Sequence, residues 1–174
     1  MFKWTVNWRF VEEETFLSRP FSAGLLAAHA SLLLLFLATV WLRPAELSLP
    51  NALHSLLCPP PPNIQSKTAK RVTPDFILTS ILTAITIGCL CARSLHYQFY
   101  AYIAWSTPFL LWRSGMHPVM MYIVWAAQEW AWNVFPSTSA SSAVVVSCLA
   151  VTTGSICLGA TSREEVPNTR SHTE

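Results

Sequence analysis

Five long apolar runs alternate with shorter polar segments along this 174-residue chain. The first run has 22 residues and no charged side chain, whereas a helix needs about 20 apolar residues to cross the hydrocarbon core of a bilayer. The pattern therefore predicts an all-α membrane protein with about five transmembrane helices, over residues 21–42, 76–92, 94–112, 118–135 and 142–160.

The polar segments between and around these runs predict the rest of the organisation. Residues 1–20 form an amphipathic stretch, which indicates a luminal or interfacial segment. Residues 44–73 are predicted to be a connecting loop, in which the four prolines at 59–62 favour an extended backbone without helix. Residues 161–174 are polar and are predicted to form a disordered tail.

Composition supports a membrane protein and excludes several functional classes. Only 11% of the residues are charged and 52% are apolar, whereas soluble domains carry about 25% charged residues. A formal net charge of +2, with no long basic run, does not indicate a nucleic-acid partner. The five cysteines are an odd number without zinc-site spacing, so we expect free thiols, no metal site and no cofactor.

Basic residues predict the orientation of the chain in the membrane. With five spans, four basic residues fall on the side of the N-terminal segment, and seven fall on the side of residues 44–73 and the C-terminal tail. The positive-inside bias therefore places residues 44–73 in the cytosol. The N-terminal segment and the turns at Arg93–Tyr100 and Asn133–Ser139 then share the luminal face, where we expect a site.

Arg93 and His96 are the residues whose chemistry best suits an anionic lipid carrier. If the backbone is helical there, their spacing of three residues places them on one face. A guanidinium fits phosphate oxygens, and an imidazole adds a hydrogen bond or a proton. These two residues are candidates for binding a donor phosphate. The alternative is that Arg93 extends to lipid headgroups while His96 is a hydrogen-bonded packing residue.

Candidate contacts to sugar or lipid lie on both sides of this pair in the sequence. Tyr97, Gln98 and Tyr100 are suited to bind sugar hydroxyls or to stack on sugar rings, but they equally fit an aromatic belt at the membrane surface. Trp8 and Arg9 are suited to face a glycan acceptor, and the alternative for them is an interfacial anchor. The residue types alone leave both pairs of alternatives open.

Glu129 is the only charged residue between Ser114 and Ser162. A carboxylate inside an apolar run is costly unless it has a partner. Asn133 lies one helical turn away and Arg93 is expected at the same end of the bundle, so either could serve. We expect Glu129 and Asn133 to be structural polar residues rather than catalytic ones.

Four motifs carry a family resemblance: Lys3–Phe10, Arg93–Tyr100, Thr107–Arg113 and Gln128–Thr138. Together they resemble the C-terminal part of the dolichyl-phosphate-mannose-dependent alpha-1,3-mannosyltransferases of the endoplasmic reticulum. The resemblance is close over residues 1–22 and 92–142. It implies part of a GT-C-type helix bundle, a multi-pass protein of the endoplasmic reticulum membrane. It also implies dolichyl-phosphate-mannose as donor and Man(5)GlcNAc(2)-PP-dolichol as acceptor, in the synthesis of the N-glycan precursor.

The chain departs from this family in one important respect. Family members are more than twice as long, and their catalytic carboxylate lies in a luminal loop of the N-terminal half. We therefore expect the catalytic base to lie outside this chain and the isolated chain to be inactive. The alternative is a non-catalytic membrane protein that assembles with a partner. A transporter would show inverted repeats and charges on several spans, and the sequence has neither.

Overall fold

The computed structural model describes residues 4–162, except for the side chains of residues 56 and 160–162. Helices make up the regular structure of this part, which confirms the all-α prediction. They are α1 (Glu13–Leu17), α2 (Arg19–Phe36), α3 (Leu49–Leu57), α4 (Pro62–Arg71), α5 (Pro74–Cys91), α6 (Tyr100–Ser114), α7 (Pro118–Trp132) and α8 (Ser139–Ser162). A π-helical turn at Leu37–Trp41 and a 3-10 turn at Arg43–Ala45 extend α2, and a 3-10 turn at Tyr97–Phe99 precedes α6.

Local sequence signals explain where several helices begin and end. The side chains of Ser18 and Thr73 accept hydrogen bonds from the backbone N–H groups of Phe21 and Phe76, each at 3.2 Å. Such caps satisfy donors that the first turn of a helix otherwise leaves without a partner. Helix α6 ends at Gly115, whose φ of 79° closes the helix in a left-handed conformation that glycine adopts without strain.

Helix α8 lies at the centre of the bundle and packs against α5, α6 and α7, while α2 packs against α5. Small side chains allow this close packing: Ser141, Ser142 and Thr152 are fully buried. Near its C-terminal end, α8 approaches α6 so closely that a Cβ built on Gly159 would lie 2.9 Å from the carbonyl carbon of Ser114.

Three helical segments are long and apolar enough to cross a membrane: Arg19–Ala45, Pro74–Cys91 and Ser139–Gly159. Helices α6 and α7 have 15 residues each. At 1.5 Å per residue each is about 22 Å long, shorter than a hydrocarbon core of about 30 Å. The arrangement of five spans therefore remains a prediction.

Residues 44–73, which were expected to form a loop, contain the two helices α3 and α4. Only the first three of the four consecutive prolines lie outside helix, and Pro62 is the first residue of α4. A proline at that position loses no hydrogen bond, because the first N–H groups of a helix have no partner within it. At the C-terminus, α8 continues to Ser162, and the remaining part of the predicted tail, residues 163–174, lies outside the described residues.

Candidate functional site

Three polar segments meet at one end of the bundle: the N-terminal segment, the turn between α5 and α6, and the turn between α7 and α8. The backbone N–H of Val6 donates to the carbonyl of Leu95 at 2.8 Å. The hydroxyl of Ser137 donates to the carbonyl of Thr5 at 2.6 Å. The prediction that these segments share one end of the bundle is confirmed.

Asn7 joins the N-terminal segment to the turn that follows α5. It is fully buried, its Nδ2 donates to the carbonyl of Ala92 at 2.6 Å, and its Oδ1 accepts the N–H of Leu95 at 2.8 Å. The hydroxyl of Thr5 also donates to Oδ1, at 2.7 Å, and the indole N–H of Trp8 donates to the Ala92 carbonyl at 3.0 Å. One amide side chain thus fixes both ends of the short segment that contains Arg93.

Arg93 and His96 lie within residues 92–96, between α5 and α6, and this stretch is not helical. The condition for a shared helical face is therefore not met, because α5 ends before these residues and α6 begins after them. The Nη1 of Arg93 donates to the hydroxyl of Ser22 at 3.0 Å, and the guanidinium lies 5.7 Å from the ring centre of Phe16. The side chain of His96 is exposed, whereas the intervening Leu95 is buried.

The aromatic candidates near this segment have their hydroxyl groups bound within the protein. Tyr97 donates to the carbonyl of Val134 at 2.7 Å, and Tyr100 donates to the carboxylate of Glu129. Gln98 lies between them with an exposed side chain. Gln98 therefore has the more accessible polar group of the three, and the tyrosines connect α6 to α7 and to the turn that follows α7.

Glu129 receives its hydrogen bond from Tyr100, a residue that the sequence did not indicate as its partner. Asn133 was one of the two partners considered for Glu129. Its Nδ2 donates to the backbone carbonyl of Glu129 at 2.7 Å and not to the carboxylate. The ring of Tyr100 also stacks on Trp132 at 5.3 Å between ring centres. These contacts support the expectation that Glu129 and Asn133 are structural residues.

Trp8 and Arg9 are folded against the end of the bundle. Trp8 has a φ of 57°, an uncommon value for a bulky residue, and its ring meets that of Phe21 edge-on at 5.8 Å. The backbone N–H of Arg9 donates to the hydroxyl of Ser142 at 2.6 Å, and its carbonyl accepts from Ser139 at 3.5 Å. The backbone reversal at Trp8 brings this stretch onto the N-terminal end of α8.

Sequence reasoning missed the complete burial of Thr5, Val6 and Asn7. It treated this stretch as amphipathic, and a short non-helical segment has no periodicity that would mark its buried positions. The signal that was available lies in composition: a threonine and an asparagine stand between two tryptophans, just before the first apolar run. Small hydrogen-bonding side chains of this kind can satisfy backbone groups at a buried helix end.

An apolar cavity of about 370 Å³ opens beside the Arg93 turn, between α5 and α6. Gly88, Cys89, Leu95 and Phe99 are among the residues that line it. Among the described residues, no group of three histidine, cysteine or acidic side chains is arranged to hold a metal ion. This end of the protein thus combines a guanidinium, an imidazole and an amide with an adjacent apolar cavity.

Comparison with known proteins reveals close relatives. The chain is 56% identical to the Dol-P-Man:Man(5)GlcNAc(2)-PP-Dol alpha-1,3-mannosyltransferase of Neurospora crassa over 168 residues, which are 94% of this chain and 38% of that protein. It is 40% identical to the proteins of the same name from Homo sapiens and Mus musculus, over 91% and 87% of this chain and 35% and 34% of theirs. No solved structure matches.

The chain spans little more than a third of the length of these relatives. The family model described as ALG3 protein matches residues 1–142, a range that includes every candidate site residue named from the sequence. Both the family model and the relatives cover most of this sequence, and on these grounds the chain belongs to the ALG3 protein family.

Proposed function

We propose that this chain forms the donor-binding end of a mannosyltransferase. In this proposal, the complete enzyme transfers mannose in alpha-1,3 linkage from dolichyl-phosphate-mannose to Man(5)GlcNAc(2)-PP-dolichol. The observation that carries the proposal is 56% identity to the Neurospora crassa enzyme of that name over 94% of this chain. The chain matches 38% of that enzyme, and the proposal concerns donor binding by this part alone.

Arg93 and His96 are proposed to bind the phosphate of the donor. As mannose is transferred, the phosphate leaves with negative charge, and fixed donors aimed at it stabilise the transition state. The contact of Arg93 with Ser22 and Phe16 limits the positions that its guanidinium can adopt. His96 is exposed on the same short segment and is able to add a second donor. The apolar cavity beside the segment is suited to the first units of the polyprenyl chain.

Gln98 is proposed to bind hydroxyl groups of the transferred mannose, because its amide is exposed beside His96. Tyr97 and Tyr100 already use their hydroxyls within the protein, so their contribution to sugar binding would come from the ring faces. Trp8 and Arg9 are proposed to face the glycan of the acceptor from the N-terminal segment. Aromatic faces and charged donors of this kind suit sugar recognition as well as membrane anchoring.

The proposed location is the endoplasmic reticulum membrane, with several passes through the bilayer. The end that carries Arg93 would face the lumen, and residues 44–73 would face the cytosol. Three helical segments with the length and composition of membrane spans support this arrangement, as does the distribution of basic residues. Cysteine labelling from each side of sealed microsomes, at Gln98→Cys and at Asn63→Cys, would determine the orientation.

The proposal is tested with a chimera in which this chain replaces the matching part of the Neurospora crassa relative. The chimera should transfer mannose from dolichyl-phosphate-mannose, whereas the 174-residue chain alone should not. Arg93→Ala should lower transfer by about 10²–10³-fold, the usual cost of losing one donor to a developing negative charge. His96→Ala should also lower it, and His96→Gln should restore part of the loss if hydrogen bonding rather than proton transfer is required.

Arg71→Ala is the matched control, because this arginine is exposed on the connector between α2 and α5. It should leave transfer unchanged. An inactive chimera that still inserts into membranes would favour a non-catalytic component. Normal transfer by Arg93→Ala and His96→Ala would disprove the assignment of the donor phosphate to these residues.

A further inference from the structure

Two exposed aromatic side chains, Trp4 and Phe135, form a pair at the end of the bundle that carries Arg93. Their ring centres lie 6.4 Å apart with 32° between the ring planes, and the two residues are 61% and 67% exposed. Contiguous apolar surface that stays exposed on a folded protein can mark a binding site. We refer to this pair as the Trp4–Phe135 platform.

Contacts beneath the platform hold both rings in place. Trp4 directly precedes Thr5, which is fully buried and whose carbonyl accepts the hydroxyl of Ser137 at 2.6 Å. Phe135 packs against Tyr97, with 5.5 Å between the ring centres. Aromatic rings that are already held in position lose little conformational entropy when a ligand binds. The platform is therefore preorganised to receive a ligand on its exposed faces.

The platform lies beyond the ends of the long helices. Phe135 belongs to the turn between α7 and α8, and the N-terminal segment that contains Trp4 is hydrogen-bonded to this turn and to the turn between α5 and α6. Other exposed rings, such as Trp105 and Trp112, lie on α6 itself, where contact with lipid is expected. In the proposed orientation, the platform faces the lumen.

The chemistry of the platform fits an uncharged sugar ring. Neither Trp4 nor Phe135 is charged, and within the part of the chain that the structure describes, the indole N–H of Trp4 has no hydrogen-bond acceptor. A pyranose ring has a face of C–H groups and hydroxyl groups at its edge. Its face matches the aromatic surface and its edge offers acceptors to the indole N–H, whereas an anionic group would find no cation in the pair.

We propose that the Trp4–Phe135 platform binds a mannose ring of the acceptor glycan. The C–H face of the sugar stacks on the exposed aromatic faces, and a hydroxyl oxygen accepts from the indole N–H of Trp4. Because Phe135 contacts Tyr97, a candidate sugar contact, the platform continues the candidate site. The inference rests on the proposed function for the identity of the glycan, and it adds a sugar site that involves neither Trp8 nor Arg9.

Saturation-transfer NMR on the full 174-residue chain in nanodiscs tests this proposal. The probe is the free glycan Man(5)GlcNAc(2) without its lipid, and irradiation of the aromatic protons should transfer magnetisation to the C–H protons of mannose. Trp4→Leu and Phe135→Leu should each weaken binding by about 3–10-fold, the contribution of one aromatic contact. Leucine keeps both positions apolar, so a role in membrane anchoring alone predicts no change. Phe135→Tyr retains the ring and should bind the glycan as before.

Trp105→Leu is the matched control, because this tryptophan is 81% exposed on the side of α6, and it should leave glycan binding unchanged. No transfer to the glycan from the unaltered chain, or equal affinity in the leucine variants, would overturn the proposal. The measurement requires no mannose transfer, so the two proposals fail separately. An inactive chimera would count against the proposed function alone, whereas an active chimera whose leucine variants keep the KM for the acceptor would count against the platform alone.

Discussion

Replacement of Asn7 by alanine is the sharpest test of how the N-terminal segment holds the Arg93 turn. The change removes the acceptor for the N–H of Leu95, a residue that is only 1% exposed. A buried donor left without a partner costs about 1–3 kcal/mol. The carbonyl of Ala92 also loses the Asn7 amide but keeps the indole N–H of Trp8, so this second loss adds only about 1 kcal/mol. We expect Asn7→Ala to destabilise this end of the bundle by about 2–4 kcal/mol.

Cys91 provides the assay, because it is buried in the last turn of α5, directly before the segment that Asn7 holds. Its thiol reacts with a maleimide only when this end opens locally. A loss of 2 kcal/mol raises the open fraction about 30-fold, since each 1.4 kcal/mol is a factor of ten. Alkylation of Cys91, resolved by mass spectrometry from that of the exposed Cys58, should accelerate by at least this factor.

Two comparisons make the result decisive. Asn63→Ala removes an exposed asparagine whose side-chain oxygen accepts the next backbone N–H, at 2.9 Å, and it should leave the alkylation rate of Cys91 unchanged. Asn7→Asp keeps the acceptor for Leu95 but places a carboxylate beside the Ala92 carbonyl at a fully buried position, which is costly, so its rate should also rise. An Asn7→Ala chain that has native helix content and reacts at the original rate would refute the view that this amide holds the turn.

Two further substitutions test the packing of the helices. Gly159→Ala should lower the thermal unfolding temperature in detergent, because the new Cβ would overlap the backbone of Ser114, whereas Gly154→Ala, where the Cβ meets no atom within 4 Å, should be neutral or stabilising. Thr107→Val should cost about 1–3 kcal/mol in equilibrium unfolding, because it leaves the buried Oε1 of Gln128 without the donor now at 3.0 Å. An unchanged unfolding temperature for Gly159→Ala, or an unchanged unfolding free energy for Thr107→Val, would contradict the packing described here.

The sequence predicted the long helices well because their boundaries depend on local signals. The second span was expected from residue 76, and α5 begins at Pro74, where Thr73 provides the cap. The run predicted over 94–112 is helical only from Tyr97 onward, because the segment before it is fixed by tertiary hydrogen bonds. The apolar pattern predicted a buried region of a membrane protein. It did not indicate which residues of this region are not helical.

The secondary structure of the connector was predicted less well, because the effect of proline on a helix depends on its position. Within a helix it removes a hydrogen bond, whereas in the first turn its fixed φ favours helix. Pro50 and Pro62 occupy the first turns of α3 and α4, and Pro62 belongs to the run that the sequence predicted to be extended. The same limit applies to the candidate site. Arg93 and His96 were identified from residue type, but the hydrogen bonds of Asn7 to Ala92 and Leu95, which hold the segment with Arg93, become visible in the folded structure.

The hydrogen bond between Ser137 and Thr5 joins residues 132 positions apart, and this separation has a consequence for synthesis on the ribosome. At about 5–20 residues per second, roughly 7–26 s elapse between the appearance of Thr5 and that of its partner. During this interval the first helices are complete, but the amide of Asn7 meets the turn after α5 well before the start of α8 exists to cover it. The end that carries Arg93 therefore stays open until residue 137 has been made, and a nascent chain halted before that residue would leave it open to folding factors.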